Sequence, residues 1–140
     1  MKNLLTKWFM TFNAFLIRAS RGQIGSKLGT QTILLLETVG RKSGQPRIIP
    51  IAYFFHEGKY LIVASNGGKD TNADWYLNLL KNPHATLQVN GKKIHAEATD
   101  VQGNEYDRLW KFATEQHPPY LQYKEMTSRK IPIVVFRPLQ

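Results

Sequence analysis

Three short segments carry the residues that could do chemistry in this chain. The first, GRKSGQPR at positions 40–47, places cationic side chains and a hydroxyl group around a glycine turn. A turn of this kind exposes backbone N–H groups beside the charges, so it can hold a phosphate or a carboxylate. From these residues alone, an exposed basic turn that serves only solubility is an equally good interpretation.

The second segment, ASNGGKDTNADWY at positions 64–76, follows a predicted strand, contains a glycine pair and leads into a predicted helix. Backbone donors and the positive end of the helix dipole favour an anion or an electron-rich ring edge at such a place. A plain connection between a strand and a helix is the alternative.

The third segment is HPPYLQY at positions 117–123. Tyr120 and Tyr123 stand three residues apart, so on a helix they share one face. Their hydroxyl groups could then act together on a substrate as hydrogen-bond donors. Paired tyrosines are more often core or rim residues, and that interpretation stays open.

Several reaction classes lack the residues that they need. The chain contains no cysteine, which excludes disulfides, thiolate metal sites and cysteine nucleophiles and fits a cytoplasmic location. The four histidines share no metal-ligand spacing, so no metal site is predicted. A nucleophile elbow, a Walker loop and a dinucleotide fingerprint are also missing from the sequence. A bound cofactor would therefore have to supply any redox chemistry.

The chain is strongly basic, with 19 Lys and Arg against 10 Asp and Glu and a formal net charge of +9 over 140 residues. Such a balance favours an anionic partner, which could be nucleic acid, a lipid surface or a small polyanion. Aromatic and basic residues do not alternate along a strand as a base-stacking platform requires, so nucleic acid is disfavoured.

The first twenty residues, MKNLLTKWFMTFNAFLIRAS, predict an amphipathic helix because their apolar residues recur at helical spacing. The stretch is too short and too polar to span a bilayer, and it lacks a signal-peptide cleavage site. Two roles stay open: covering the barrel, or docking peripherally on the inner face of an anionic membrane. A glycine-rich linker follows, which predicts two parts, residues 1–29 and a barrel domain over residues 30–140.

From Thr32 onward the pattern is that of short strands joined by tight turns. Glu57-Gly58 and Asn90-Gly91 predict two hairpins. Pro50 predicts an edge or bulge position, because proline cannot donate to a central ladder. Connections of this kind are typical of antiparallel sheets.

Helices are predicted at three places between these strands. The segment at positions 71–83 starts with Thr71 and Asp74 at capping-box spacing and ends at a proline. A second helix over residues 103–117 stops at Pro118-Pro119, a short one follows near residues 120–128, and a final strand ends the chain. The order predicts a mainly β, α+β protein: a small antiparallel barrel with helices packed on it.

Taken together, these segments resemble the deazaflavin-dependent nitroreductase family, whose members are split-β-barrel oxidoreductases that use coenzyme F420. The resemblance runs from about Thr32 to Arg137 in the family's order, and it is carried by GRKSGQPR, VASNGGKDTNADWYLNL, HPPYLQY and RKIPIVVF. It implies a six- or seven-stranded antiparallel split β-barrel like those that bind flavin mononucleotide (FMN). It also implies hydride transfer from the reduced 8-hydroxy-5-deazaflavin to a small electrophile such as an enone, quinone or nitroaromatic.

The resemblance also assigns residues to the coenzyme. The phosphate and glutamyl carboxylates of its tail would contact Arg41, Lys42, Ser43, Gly44 and Arg47. The deazaflavin ring would lie against Ser65, Gly67 and Gly68, with Trp75 and Tyr76 near the ring or the tail. The remaining predicted contacts are Pro50, Ala64 and Asn66.

Ser65, Tyr120 and Tyr123 are the predicted catalytic residues, since hydride transfer builds negative charge on a substrate oxygen that a hydroxyl group can stabilise. The sequence departs from the family at two positions. Asn66 stands where lysine is frequent, which would weaken one coenzyme contact, and His117 stands where tyrosine often precedes the two prolines. His117 changes the pocket wall, so nitroimidazole reduction is not implied.

Two other functions stay open at this point. The same barrel could hold FMN or haem, or the chain could be a non-catalytic basic module that binds nucleic acid or a membrane. The physiological substrate is not specified by the sequence, and both a monomer and a homodimer are compatible with it.

Overall fold

A computed structural model describes residues 27–28 and 31–139, so the predicted N-terminal helix lies outside the described residues. The strands are β1 (Lys27–Leu28), β2 (Gln31–Val39), β3 (Pro46–His56), β4 (Lys59–Val63), β5 (His84–Val89), β6 (Lys92–Asp100) and β7 (Ile133–Pro138). The helices are α1 (Asp74–Lys81), α2 (Gly103–Gln116) and α3 (Pro119–Glu125), and a short 3₁₀ turn spans Asn66–Gly68. The predicted order of elements from β2 onward is confirmed, and β1 falls within the predicted linker.

The strands form one antiparallel barrel. Their spatial order is β1-β2-β3-β4-β7-β6-β5, and an additional pairing between β2 and β5 closes six of them into a ring. In that closing pair, Leu36 of β2 lies opposite Leu87 of β5. The predicted antiparallel barrel is confirmed in its six-stranded form, and β1 pairs with the start of β2 outside the ring.

Strands β4 and β7 each contain a run of apolar residues, Leu61–Val63 and Ile133–Phe136, that is buried on both faces. Ile62 and Phe136 point into the barrel interior, where both are fully buried. Leu61 and Ile133 point outward, into a second cluster that is covered by α2 and α3. This second layer holds α3 against the barrel.

The two predicted hairpin turns are confirmed. Glu57 and Gly58 have φ angles of 55° and 76°, and Asn90 and Gly91 have φ angles of 50° and 83°. Positive φ at both central residues gives the turn a twist that matches the flanking strands.

The start of α1 differs from the predicted capping box. The helix begins at Asp74 with Ala73 as its N-cap, and no side-chain hydrogen bond caps it within the described residues. Thr71 and Asp74 therefore do not form the predicted capping box. The carboxylate of Asp74 instead accepts a hydrogen bond from Arg41, which lies on the turn between β2 and β3.

The barrel is split where β3 and β4 separate. Within the described residues, β3 pairs with β2 from Pro46 to Tyr53, but with β4 only from Phe54 to His56. Beyond this point β4 follows β7 and leads into the 3₁₀ turn. Pro50 lies in the half of β3 that β4 leaves open, in agreement with the predicted edge position.

Candidate active site

A groove follows the open half of β3 in two joined parts. The basic cavity, about 650 Å³, is lined by the turn residues Gly40, Arg41, Lys42, Ser43 and Arg47. The aromatic cavity, about 460 Å³, is lined by Ser65, Gly67, His117, Tyr120 and Tyr123. Both cavities share the lining residues Ile49, Asn66, Ala73 and Trp75. The basic turn and the glycine loop therefore face one continuous groove.

Lys42, Ser43 and Arg47 are exposed at the basic cavity. Nη2 of Arg47 donates to Oγ of Ser43 at 3.3 Å, and the same oxygen accepts from the backbone N–H of Gln45 at 3.1 Å. The side chain of Lys42 makes no hydrogen bond or ion pair within the part of the chain that the structure describes. Lys42 and Arg47 can thus offer N–H donors to an anion in the cavity.

Arg41 fastens the basic turn to α1. Its guanidinium donates to Oδ1 of Asn78 at 2.9 Å and to Oδ1 of Asp74 at 3.1 Å. Its backbone N–H donates to Oδ1 of Asn78 at 3.1 Å, and its carbonyl oxygen accepts from Nζ of Lys81 at 2.8 Å. Asn78 is buried and donates to Oγ1 of Thr38 at 3.1 Å. Arg41 therefore positions its neighbours as well as lining the cavity.

The glycines of the turn shape it but do not present their N–H groups to the groove. The N–H of Gly44 donates to the carbonyl oxygen of Gly40, and the N–H of Gly40 donates to that of Gln45, both at 2.8 Å. Gly44 has a φ of 72°, a conformation that glycine adopts without strain. The expectation of free backbone donors at these two glycines is thus wrong, and side chains supply the donors here.

The glycine loop, Ser65–Gly68, brings backbone close to α3. Asn66, Gly67 and Gly68 have successive φ angles of 50°, 65° and 80°. A Cβ on Gly68 would lie 2.9 Å from Sδ of Met126 and 3.3 Å from Cα of Tyr123, so a larger residue would push the loop from the helix. Glycine therefore sets the spacing between this loop and α3.

Aromatic rings form the opposite wall of the aromatic cavity. Pro119 occupies the first turn of α3, where its fixed φ suits a helix start. The ring centroids of Tyr120 and Tyr123 are 6.2 Å apart, and that of His117 lies 4.9 Å from Tyr120. The prediction that the two tyrosines share a helix face is confirmed, and Ser65 lines the same cavity.

Five predicted coenzyme contacts do not line either cavity: Gly44, Pro50, Ala64, Gly68 and Tyr76. Ala64 is 1% exposed in the barrel core, and Gly68 is buried beneath α3. Contact of these five residues with the coenzyme stays a prediction, which the lining of the two cavities does not support.

Tyr76 faces away from the groove because α1 turns it toward the end of β6. Its hydroxyl group donates to Oδ2 of Asp100 at 2.5 Å. Burial, together with the hydrogen bond to the Asp100 carboxylate, raises the pKa of Tyr76 well above its usual range. The neighbouring Trp75 is the aromatic residue of α1 that lines the groove.

Two polar residues that organise the site were missed by sequence reasoning. Asn78 is buried on the apolar face of α1, and a polar residue in that stripe was a signal that could have been used. Arg129 hydrogen-bonds to Ser65, Lys69 and Asn72. Those partners lie at least 57 positions away, so no local pattern indicates them.

Within residues 27–28 and 31–139, no helix is long and apolar enough to cross a bilayer. In the same part of the chain, no group of three His, Cys, Asp or Glu residues is arranged to hold a metal ion. The predicted membrane contact of the first twenty residues lies outside the described residues.

An antiparallel barrel that opens beside β3 into a basic and an aromatic cavity defines a split-barrel protein. Residues 9–138 match the sequence model of the F420H(2)-dependent quinone reductase family, and the chain belongs to that family. This confirms the predicted family of deazaflavin-dependent oxidoreductases.

Individual relatives agree with this membership. The F420H(2)-dependent quinone reductase Rv1261c of Mycobacterium tuberculosis is 39% identical over 122 residues, which cover 84% of this chain and 82% of the relative. A solved F420-H2 dependent reductase, FDR-A, is 37% identical with a TM-score of 0.68 and covers 75% of this chain and 93% of its own.

Two further structures bear on assembly and fold. One described as a domain-swapped dimer is 32% identical with a TM-score of 0.72, over 94% of this chain and 98% of its own. The haem storage protein HutZ of Vibrio cholerae is 14% identical with a TM-score of 0.58, over 94% of this chain and 91% of its own. At that identity HutZ shares only the fold.

Proposed function

We propose that the protein transfers hydride from reduced coenzyme F420 to a quinone-type substrate in the aromatic cavity. The observation that carries this proposal is the continuity of the groove, in which a basic and an aromatic cavity share four lining residues. A coenzyme with a planar ring and an acidic tail needs both ends in one site. The family and the names of its relatives support the same activity.

The residues of the groove fit this coenzyme. Lys42 and Arg47, with Arg41 behind them, would hold the phosphate and glutamyl carboxylates of the tail. Trp75 and Asn66, which line both cavities, would hold the ring together with Gly67, which lines the aromatic cavity. The absence of a bulky side chain at Gly67 leaves room for a flat ring against the loop.

When bound, the reduced deazaflavin would supply a hydride, which is one proton with two electrons. A quinone that accepts it carries a negative charge on oxygen and takes up one proton to become the quinol. The hydroxyl groups of Ser65, Tyr120 and Tyr123 line the cavity where that oxygen would lie and can donate to it. One such donor is worth about 3 kcal/mol in a transition state. The same walls would hold the substrate near the ring.

The test is a titration of the purified protein with oxidised coenzyme F420, followed by the fluorescence of the deazaflavin. Saturable binding, and oxidation of the reduced coenzyme when a quinone such as menadione is added, are expected. Enones and nitroaromatics serve as alternative acceptors in the same assay. Tight binding of FMN or haem with no response to deazaflavin would contradict the proposal and favour the alternative cofactor.

We further propose that the chain forms a homodimer, on the ground that a relative 32% identical has a structure described as a domain-swapped dimer. Sedimentation velocity should give twice the monomer mass, and a concentration-independent monomer would contradict this.

Peripheral membrane docking through residues 1–20 is proposed from their amphipathic pattern and basic residues. Deletion of these residues should abolish co-sedimentation with anionic liposomes and leave coenzyme binding unchanged; unchanged sedimentation would contradict docking.

A further inference from the structure

Arg129 lies in the connection between α3 and β7. Its side chain hydrogen-bonds at three points to the segment Ser65–Asn72, which contains the glycine loop. Nε donates to the carbonyl oxygen of Lys69 at 2.8 Å, and Nη2 donates to that of Ser65 at 2.8 Å. Nη1 donates to Oδ1 of Asn72 at 3.1 Å. One planar guanidinium therefore binds the start, the middle and the end of the segment from Ser65 to Asn72.

This segment needs such support because its backbone is strained. Asn66 is a non-glycine residue with a φ of 50°, and the two glycines after it also have positive φ. Conformations of this kind persist only where the surroundings determine them. The segment's own hydrogen bonds are short-range, such as that from Nδ2 of Asn66 to the carbonyl oxygen of Thr71 at 2.8 Å. Arg129, which lies outside this segment, adds three long-range hydrogen bonds to it.

The same connection also carries the opposite wall of the aromatic cavity. Arg129 lies six positions after Tyr123 in the chain, and its backbone N–H donates to Oγ1 of Thr127 at 3.2 Å. Met126, at the end of α3, packs on Gly68. Arg129 thus ties the glycine loop to the end of the helix that carries both tyrosines, which fixes the width of the cavity between them.

We propose that Arg129 is a positioning residue for the ring end of the groove, an inference that rests on the proposed function. It holds Ser65 and Gly67 on one wall at a set distance from the tyrosines on the other. Lysine cannot replace it fully, because an ammonium group does not reproduce three donors in a fixed plane. The residue does not line either cavity, so its effect on the ring is indirect.

The test compares two ligands, coenzyme F420 and its tail-free deazaflavin riboside, which lacks the phosphate and the glutamates. Arg129→Gln should weaken binding of both ligands by the same factor, about tenfold or more, because it loses charge-assisted hydrogen bonds to the ring-side loop. Arg129→Lys should recover part of that loss. Arg137→Gln is the matched control, since Arg137 is an exposed cation whose partner is Glu97 at 3.4 Å. The control should bind both ligands like the wild type.

A second measurement needs no ligand. In the coenzyme-free protein, Arg129→Gln should speed amide hydrogen exchange in residues 65–72 and leave exchange in β2 and β5 unchanged. Wild-type affinity of both Arg129 variants for the tail-free ligand, or unchanged exchange in the loop, would overturn the proposal. If the wild type binds neither ligand, the proposed function fails, and the exchange experiment still decides whether Arg129 holds the loop. If Arg129→Gln does not fold, Arg129→Lys gives the same comparison.

Discussion

The two ends of the groove differ in the chemical groups that face it. At the basic end, the groups that face the groove are exposed side chains, with Lys42 and Arg47 on a turn that a buried amide holds in place. At the aromatic end, they are the backbone of a strained loop and the rings of α3. The basic end therefore presents exposed charged groups, and the aromatic end presents a wall of backbone and aromatic rings in fixed positions.

This difference separates two tasks. Exposed charges interact weakly in water and are screened by salt, so the basic end should contribute affinity in modest, salt-dependent steps. The hydroxyl groups at the aromatic end are held on packed elements at the place where charge would develop on the substrate, so this end should control the rate. Substitution of a basic side chain should therefore change affinity, whereas loss of the hydroxyl groups at the aromatic end should change the rate.

The largest expected effect is on the rate. Replacing both hydroxyl groups, in Tyr120→Phe with Tyr123→Phe, should lower kcat about 100-fold, because donors to the substrate oxygen are lost while the rings remain. Coenzyme affinity, measured by fluorescence titration, should stay within about twofold of the wild type. A double variant with normal kcat would show that neither tyrosine stabilises the substrate oxygen.

The next effect is on the fit between the glycine loop and α3. Gly68→Ala should lower the free energy of unfolding by about 2–3 kcal/mol, from positive-φ strain and from the contact with α3. Gly58→Ala is the matched control, since Gly58 has a similar φ of 76° but nothing within 4 Å of its Cβ position. It should cost only about 1 kcal/mol in a urea titration. Equal losses in the two variants would mean that the contact with α3 carries no cost.

A smaller effect is expected where the basic turn meets α1. Asn78→Ala should cost about 2 kcal/mol of unfolding free energy, because Thr38 and the backbone N–H of Arg41 lose their buried partner. Coenzyme affinity should also fall, since the turn is no longer fixed. Asn78→Asp keeps an acceptor for Arg41 and should restore part of the unfolding free energy, but its carboxylate lines the basic cavity and should keep the affinity for the anionic tail low. Urea unfolding and fluorescence titration measure both, and an Asn78→Ala protein with unchanged affinity would show that the turn needs no anchor.

The smallest effect concerns one exposed cation. Lys42→Gln should weaken coenzyme binding about 3–5-fold at low salt and less at high salt, as expected for a solvent-screened charge pair. The matched control is Lys59→Gln, at the start of β4 and outside both cavities. A loss that does not depend on salt, or an equal loss in the control, would contradict a tail contact at Lys42.

Local patterns in the sequence were sufficient for the framework. The Asn90-Gly91 turn, the alternation of the strands and the proline pair before α3 each follow from chemistry within a few residues. They place the basic turn, the glycine loop and the tyrosines at strand and helix ends. The continuity of the groove between these segments follows from the separation of β3 and β4.

The choice between neighbouring residues could not be predicted in this way. Trp75 and Tyr76 are adjacent aromatic residues on α1, and only the packing of Tyr76 against Asp100 decides which of them lines the groove. Arg41 and Lys42 are adjacent cations, and only the hydrogen bond of Arg41 to the buried amide of Asn78 shows that Arg41 anchors the turn while Lys42 faces the cavity. Both distinctions depend on partners that are distant in the sequence.

One groove should hold the tail of the coenzyme at the basic turn and its ring at the glycine loop. Amide chemical shifts of the labelled protein, recorded with coenzyme F420 and with the tail-free deazaflavin, test this most directly. Both ligands should shift the amides of Gly67 and Gly68, and only the intact coenzyme should shift those of Lys42 and Arg47. If the intact coenzyme leaves either group unshifted, or the tail-free ligand shifts only the turn, the claim is contradicted.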